Sequence, residues 1–375
     1  MIKIASRIRD YQVSFPDSSE LTGGFESFQD KLYVIDKNVW RLHRAGCLRG
    51  VDSEDALMLP ADEDAKTMET VFKIYDALLD RSAKKTTALI AIGGGIIQDV
   101  AGFAASTLYR GIRWICVPTT LLAQSDSCIG GKTSLNVKGH KNLVGTFYPP
   151  HEVRIDAAFL DTLSELDFYS GLGEVVKLHM MGGRRAVSGF LERAPAIKLK
   201  DPGALMKAIR ASLKIKLGFM KGDEFDRGTR NMLNFGHCFG HALESSSHFD
   251  IPHGQAVLIG MLFAGIVAER RGHLSSPNAR YFAEKLLLPN IIVKPKDGDL
   301  DPERILREMK KDKKRAGDGL ALVMMGDGHS MIRVDDLSYE ELEAASRELA
   351  SALKAPAKIQ TERVFAGESR ARGIV

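Results

Sequence analysis

The stretch Ala88-Leu-Ile-Ala-Ile-Gly-Gly-Gly-Ile-Ile-Gln-Asp99 decides how the first half of the chain folds. Five consecutive apolar residues read as a strand buried on both faces, and the three glycines after them read as a tight turn into an Ala-rich helix. Downstream, Gly111-Ile-Arg-Trp-Ile-Cys-Val117 reads as a second strand, closed by Pro118-Thr-Thr120. Upstream, Lys31-Leu-Tyr-Val-Ile-Asp36 is a β-rich run that turns into a helix. Residues 67–80 place Met68, Val71, Ile74, Ala77 and Leu78 at helical spacing. Strands and helices alternating at this pitch predict a parallel α/β sheet.

Beyond about residue 161 the periodicity becomes helical, including 203–220 and 231–244, with further helices expected at 302–312 and 339–353. The fold class is therefore α/β, with an N-terminal Rossmann-like parallel-sheet domain over 1–160 and a C-terminal, mainly α-helical domain over 161–353. Residues 354–375 lack periodicity and are expected to be loosely attached. A length of 375 residues fits two cores better than one. The 44% hydrophobic and 27% charged fractions are those of a soluble globular protein, and a net charge of +4 does not favour a nucleic-acid partner. Four cysteines without CxxC spacing suggest a reducing compartment. Without a signal-peptide core or a membrane-length apolar run, the protein is expected to be cytoplasmic, with no membrane partner.

Two glycine-rich stretches invite anions. Gly93-Gly-Gly95 lets backbone approach a pyrophosphate at a helix N-terminus, although it is not GxGxxG. Asp36, at the end of a strand, suits ribose hydroxyls. Ser125-Asp-Ser-Cys-Ile-Gly-Gly-Lys-Thr133 ends like a P-loop, but Asp126 stands where the first glycine should be, so the Walker reading fails. What remains is a turn carrying Lys132, which joins Arg110, Lys177, Lys216 and Arg230 as cations suited to a phosphorylated, carboxylated metabolite.

Leu233-Asn-Phe-Gly-His-Cys-Phe-Gly-His-Ala-Leu-Glu244 and Ile251-Pro-His-Gly254 supply metal-ligand chemistry. His237 and His241 share a helix face, and His253 re-enters from a Pro-Gly turn, so three imidazoles can converge. Glu174, in Ser170-Gly-Leu-Gly-Glu-Val-Val-Lys177, is the best anionic ligand to complete a divalent site, with Lys177 one turn away.

Taken in order, Gly93-Gly-Gly-Ile-Ile-Gln-Asp99, Val117-Pro-Thr-Thr-Leu-Leu-Ala-Gln124, Asp126-Ser-Cys-Ile-Gly-Gly-Lys-Thr133, Lys141-Asn142, Gly173-Glu-Val-Val-Lys177, Leu233-Asn-Phe-Gly-His-Cys-Phe-Gly-His241 and His253-Gly254 resemble the signature motifs of 3-dehydroquinate synthase, a sugar phosphate cyclase. The resemblance runs from about residue 33 to residue 314. It implies NAD held by the sheet domain, a divalent metal (Zn or Co) held by the helical domain, and an active site between them. It implies that Glu174, His237 and His253 ligate the metal, and that His241 instead meets the substrate. NAD contacts are implied for Asp36, Asn38, Glu63, Lys66, Gly94, Gly95, Asp99, Thr119, Thr120 and Lys141. Substrate contacts are implied for Asp126, Lys132, Asn142, Lys177, Lys216, Arg230, Asn234 and His241, and for one lysine of Asp312-Lys-Lys314, taken as Lys313. Arg110 is expected to reach a neighbouring subunit of a homodimer.

The activity that the resemblance implies is conversion of 3-deoxy-D-arabino-heptulosonate 7-phosphate to 3-dehydroquinate and phosphate. NAD transiently oxidises a ring hydroxyl, phosphate is eliminated, the hydride returns, and an intramolecular aldol closes the carbocycle. Related cyclases act instead on sedoheptulose 7-phosphate, glucose 6-phosphate or an amino analogue. A metal-dependent NAD alcohol dehydrogenase is the competing enzyme class, and a silent scaffold the competing non-enzyme. Four departures from the family pattern stand out. Gln98 occupies a usual glycine, where it is expected to crowd the cofactor or shift the helix start. Leu57-Met-Leu-Pro-Ala-Asp-Glu-Asp-Ala-Lys66 replaces a Pro-x-Gly-Glu segment, Ser134 replaces Gly or Ala, and Leu178-His179 replaces Tyr-Gly.

Overall fold

The computed structural model describes residues 1–311 and 319–354. Its main sheet has seven strands: β1 (Ile2–Ile4), β2 (Tyr11–Ser14), β3 (Lys31–Asp36), β4 (Ala56–Leu59), β5 (Ala88–Gly93), β6 (Arg113–Pro118) and, after a separate hairpin of β7 (Lys132–Val137) and β8 (His140–Phe147), β9 (Glu152–Arg154). Their order is β1-β2-β9-β6-β5-β3-β4, parallel throughout except for the β1–β2 pair. Every residue of β5 is buried, as its unbroken apolar run requires of a strand covered on both faces.

Three helices follow strands of this sheet: α1 (Lys37–His43), α2 (Met68–Asp80) and α3 (Gly95–Thr107). The chain leaves β3 towards β4 and leaves β5 towards β6, in opposite directions along the sheet. The carboxyl ends of β3 and β5 therefore flank a crevice, the usual ligand position in such sheets. Asp36 ends β3 and Gly93 ends β5, so both sit at its rim.

The remaining helices are α4 (Glu165–Met181), α5 (Arg184–Lys198), α6 (Pro202–Met220), α7 (His237–Ser246), α8 (His253–Arg270), α9 (Ser276–Phe282), α10 (Pro302–Lys310) and α11 (Tyr339–Lys354). Apolar from Ala256 to Ala268, α8 runs buried through their centre, with Val257, Met261 and Phe263 in its interior. Among the described residues, no helix is long and apolar enough to cross a membrane.

Three features differ from the periodicity reading. The helix expected over 231–244 is broken, because Gly236 takes φ 78° and separates the 3-10 turn Thr229–Asn234 from α7. Glycine is needed there: a Cβ would lie 2.6 Å from the Val257 carbonyl oxygen of α8. A hairpin of β10 (Leu320–Met325) and β11 (Met331–Leu337) packs among the C-terminal helices, where strands were not expected. The Gly-Lys-Thr turn also runs directly into a strand, so Lys132 is the first residue of β7. Of the tail expected over 354–375, Lys354 instead ends α11, while residues 355–375, and Lys313, lie outside the described residues.

Candidate active site

Three helices deliver the central side chains. Ser164 caps α4, its hydroxyl accepting from the Asp167 amide at 3.1 Å, and the helix then runs almost wholly buried past Glu174 and Lys177. The left-handed turn at Gly236 makes His237 the first residue of α7, and Pro252 makes His253 the first residue of α8. Where α4 and α8 cross, a Cβ on Gly254 would come within 1.7 Å of the Ser170 carbonyl oxygen, and one on Gly173 within 2.2 Å of the Gly254 carbonyl oxygen. Only glycine permits this approach, which sets Glu174 beside His253.

Glu174 is 1% exposed. Its Oε1 lies 3.3 Å from His237 Nε2 and 3.2 Å from His253 Nε2, yet among the described residues neither carboxylate oxygen has a hydrogen bond of full geometry. The outer ring nitrogens are committed elsewhere: His237 Nδ1 is 3.1 Å from the Phe235 carbonyl and His253 Nδ1 is 3.2 Å from Glu244 Oε2. With Nδ1–H donated outward, each imidazole in its neutral form turns the Nε2 lone pair towards the carboxylate, and a bound cation would take the place of the proton that Glu244 and Glu174 otherwise favour on His253. Three acceptors facing one point suit a cation. Donors placed about 2.0–2.1 Å from a tetrahedral zinc ion lie about 3.3 Å apart, which matches these separations. His241 stands close by, its ring centroid 5.2 Å from that of His237 and 5.6 Å from that of His253. The nitrogens of all three histidines fall within 4.8 Å of one another, so the convergence expected from spacing is present.

Charge around this centre is alternately signed. Lys177 Nζ lies 2.5 Å from Glu174 Oε2 and 3.8 Å from Asp126 Oδ2, while Lys216 Nζ is 2.6 Å from Asp126 Oδ1. Burial would raise the pKa of Asp126, but the Lys216 and Lys177 ammonium groups outweigh it and hold the carboxyl below its ordinary value. Glu174 is likewise pulled well below the ordinary carboxylate range, burial being overcome by Lys177 and His237. Burial opposes the charged form of His253, but Glu244 and Glu174 flank the ring and raise its pKa to about 10. Burial and the nearby Lys177 charge instead lower that of His237.

At the crevice, a Cβ on Gly94 would lie 2.9 Å from Thr120 Cγ2, so glycine lets the two turns close up. The Thr119 hydroxyl beside them is buried without a hydrogen-bond partner among the described residues. A buried donor and acceptor of this kind, with a glycine turn and a helix N-terminus, fits a dinucleotide pyrophosphate. Asp36 accepts from the Asn38 amide at 2.8 Å, and burial raises its pKa. A neighbouring cluster joins α3 to the β7–β8 hairpin: Lys66 Nζ is 2.5 Å from Asp99 Oδ2 and donates to Asn142 Oδ1 at 2.6 Å. Ser134 Oγ bonds both Asp99 and Asn142, at 3.0 and 2.9 Å. Glu63 accepts from Asn136 at 2.7 Å and lies 3.8 Å from Lys141 Nζ. Asn142, expected with the substrate cations, thus sits with the residues expected at NAD.

Gln98 does not crowd the crevice. It is 5% exposed and turned inward, where its Nε2 donates to the Ser127 carbonyl at 2.7 Å and its Oε1 accepts from Ser127 Oγ at 3.0 Å. This clamp fastens α3 to the turn carrying Asp126. Gln98→Leu keeps the bulk but strands the Ser127 carbonyl, and a loss of about 1–3 kcal/mol is expected. Thermal unfolding checks this, and an unchanged midpoint would show that the clamp contributes nothing.

The other expected residues are dispersed. Lys132 pairs with Asp226. Arg230 is buried, bonded to the carbonyl oxygens of Glu224 and Gly130, and burial lowers its pKa. Asn234, His237, His241 and Arg333 line a cavity of about 80 Å³. Arg110 is exposed beyond the far end of α3, a helix of about 20 Å from the glycine turn. Sequence reasoning missed Glu244, although it stands seven residues after His237 and three after His241, on the same helix face. It also missed Tyr11, whose hydroxyl accepts from the Gly130 amide at 3.0 Å, for which no local signal exists.

Comparison with known proteins bears on both halves of the chain. The family "3-dehydroquinate synthase N-terminal" matches residues 56–170, and "3-dehydroquinate synthase C-terminal" matches residues 171–315. A 3-dehydroquinate synthase of Dehalococcoides mccartyi is 39% identical over 269 residues, covering 72% of this chain and 74% of the relative. Among solved structures, ValA (2-epi-5-epi-valiolone synthase) from Streptomyces hygroscopicus subsp. jinggangensis 5008, with NAD+ and Zn2+ bound, superposes with a TM-score of 0.82 at 24% identity, covering 94% of this chain and 99% of that one. A 2-deoxy-scyllo-inosose synthase complexed with carbaglucose-6-phosphate, NAD+ and Co2+ gives a TM-score of 0.76 at 23% identity, covering 92% and 99%. These two share the fold. The paired family matches and the 39% identity establish that the chain is an enzyme of the 3-dehydroquinate synthase family.

Proposed function

We propose that this enzyme converts 3-deoxy-D-arabino-heptulosonate 7-phosphate to 3-dehydroquinate and phosphate, with NAD in the crevice at β3 and β5 and a divalent metal, Zn or Co, on Glu174, His237 and His253. The observation that carries the reading is Lys177. It touches Glu174 on one side and Asp126 on the other, so the three-ligand centre and the cation-lined substrate wall share one buried group. When bound, NAD supplies a hydride acceptor regenerated in each turnover, and the metal supplies a Lewis acid for the reacting oxygen.

The chain's own residues do the rest. Lys177 and Lys216 place positive charge against the anionic parts of the substrate, and Asp126 keeps both ammonium groups in place. His241, on the same helix face as His237, is within reach of a substrate hydroxyl. Asp36, Gly94, Gly95, Thr119 and Thr120 form the cofactor wall, and Lys66, Asp99 and Asn142 tie the β7–β8 hairpin across it. Arg230 supports Gly130 from behind, which gives it a part in shaping the wall. Arg110 is exposed beyond the end of α3 remote from the glycine turn, and we place it at the cleft of the second subunit of a cytoplasmic homodimer.

The test is phosphate release from the loaded enzyme. A charge-assisted contact to the substrate carboxylate is worth about 1.5–3 kcal/mol, so the keto-acid phosphate should be preferred to sedoheptulose 7-phosphate by about tenfold to a hundredfold in kcat/KM. Equal release from both sugars would overturn the substrate and leave the cyclase chemistry. Net NADH formation from a simple alcohol without phosphate release would favour the dehydrogenase.

A further inference from the structure

A second polar cavity, of about 320 Å³, lies between α4, α5 and α6, away from the glycine turn and the histidines. Helix α5 is paired to its neighbours by small residues here, and the space that they leave is ringed by Arg185, Arg193 and Lys207, with Glu192 as the sole acid among the described residues lining it. No carboxylate lies within ion-pair distance of these three cations among the described residues. Ordinary surface cations would be solvated singly, but two features show that this cavity is built. Arg193 folds back to donate to the Gly189 carbonyl one turn earlier, and a Cβ on Gly189 would lie 2.9 Å from its Nη1. The floor is His179, which is 3% exposed.

His179 defines the ligand's second requirement. Its Nδ1 sits 2.7 Å from the Val175 carbonyl, which can only accept, so Nδ1 carries the proton. Burial, with the Arg193 charge adding to it, lowers the pKa of the imidazole against the Val175 hydrogen bond, and so keeps the ring neutral. Nε2 is then the acceptor end of a side chain that lines the cavity, with no hydrogen bond to protein among the described residues. A neutral acceptor at the floor and unpaired cations at the rim recognise a molecule with a hydroxyl at one end and an oxyanion at the other.

We infer that the α4–α5–α6 cavity is a second binding site, taking a small hydroxylated anion whose phosphate or carboxylate meets Arg185, Arg193 and Lys207 and whose hydroxyl donates to His179. The site rests on none of the residues assigned above to catalysis. His179 lies on α4, as Lys177 does, so occupancy would also stiffen the helix that carries the substrate-facing lysine.

The experiment is calorimetric titration of the full chain, loaded with NAD and zinc, using glycerol 3-phosphate as the phosphate-bearing probe and D-glycerate as the carboxylate-bearing one. Wild type is expected to show, for at least one probe, a class of sites that the double variant Arg185→Met/Lys207→Met weakens at least about tenfold, with phosphate-release activity unchanged. His179→Phe, which fills the floor with a ring of similar size, should weaken the same class of sites. Which probe responds identifies the oxyanion. Isotherms that are the same for wild type and double variant, or no binding of either probe up to about 10 mM, would overturn the site. A change in oligomeric state of the double variant by light scattering would overturn it too, by making this face an interface between copies.

Discussion

Glu174→Gln is expected to leave the protein folded with less than about a tenth of an equivalent of zinc after dialysis, and to lower phosphate-release activity at least a hundredfold, on the order of what loss of a primary ligand or electrostatic stabiliser costs. The reason lies in the geometry around Oε1. Two Nε2 atoms, at 3.3 and 3.2 Å, face this oxygen, and its negative charge makes the point attractive to a cation. The amide of Gln is nearly isosteric but neutral, so the fold survives while the affinity does not. Elemental analysis and circular dichroism read the two halves separately. Zinc near one equivalent in the variant would remove Glu174 from the ligand set and return His241 to it.

Gly254→Ala carries the largest expected structural effect. The added methyl would lie 1.7 Å from the Ser170 carbonyl oxygen, on the backbone of a buried helix that has no flexible end to move aside. Helices α4 and α8 must separate, and overpacking of this severity is expected to cost at least about 3 kcal/mol. For a chain of this size the unfolding midpoint should fall by about 4 °C or more. Activity should fall with it, since Glu174 and His253 each adjoin the crossing. Gly218→Ala is the control: it lies at an exposed position of α6 with nothing within 4 Å of the added atom, so it should gain about 0.5–1 kcal/mol from backbone entropy alone. A Gly254→Ala protein as stable as wild type would show that the crossing is looser than described.

The parallel sheet was legible because β5 is an apolar run too long and too uniform for anything but a strand covered on both faces. The β10–β11 hairpin was not, because Leu320, Leu322, Val323 and Met324 are buried together, and the alternation that marks a half-exposed strand is lost. At the site, the histidine spacing and the position of Glu174 were readable as local pattern. Their meeting depends on Gly173 and Gly254 packing against each other's helices, a contact that no window of sequence contains. Gln98 shows the same limit. Its identity stood out, but the direction of its side chain depends on Ser127, which a separate segment brings to it.

The glycine-mediated crossing of α4 and α8 also fixes the order of events in the life of the molecule. Glu174 comes from α4, far upstream of the consecutive helices α7 and α8 that carry His237 and His253, so an unfolded polypeptide can offer the imidazoles close together but not the carboxylate with them. The donors meet only after long loops have closed and buried side chains such as Phe239 and Phe263 have packed, with ring centroids 4.1 Å apart. The complete donor set therefore forms only on folding. A cation binding this centre then stabilises the native state only by mass action, RT ln(1 + [M]/Kd), so a chelator should lower the unfolding midpoint in proportion to affinity without abolishing the transition.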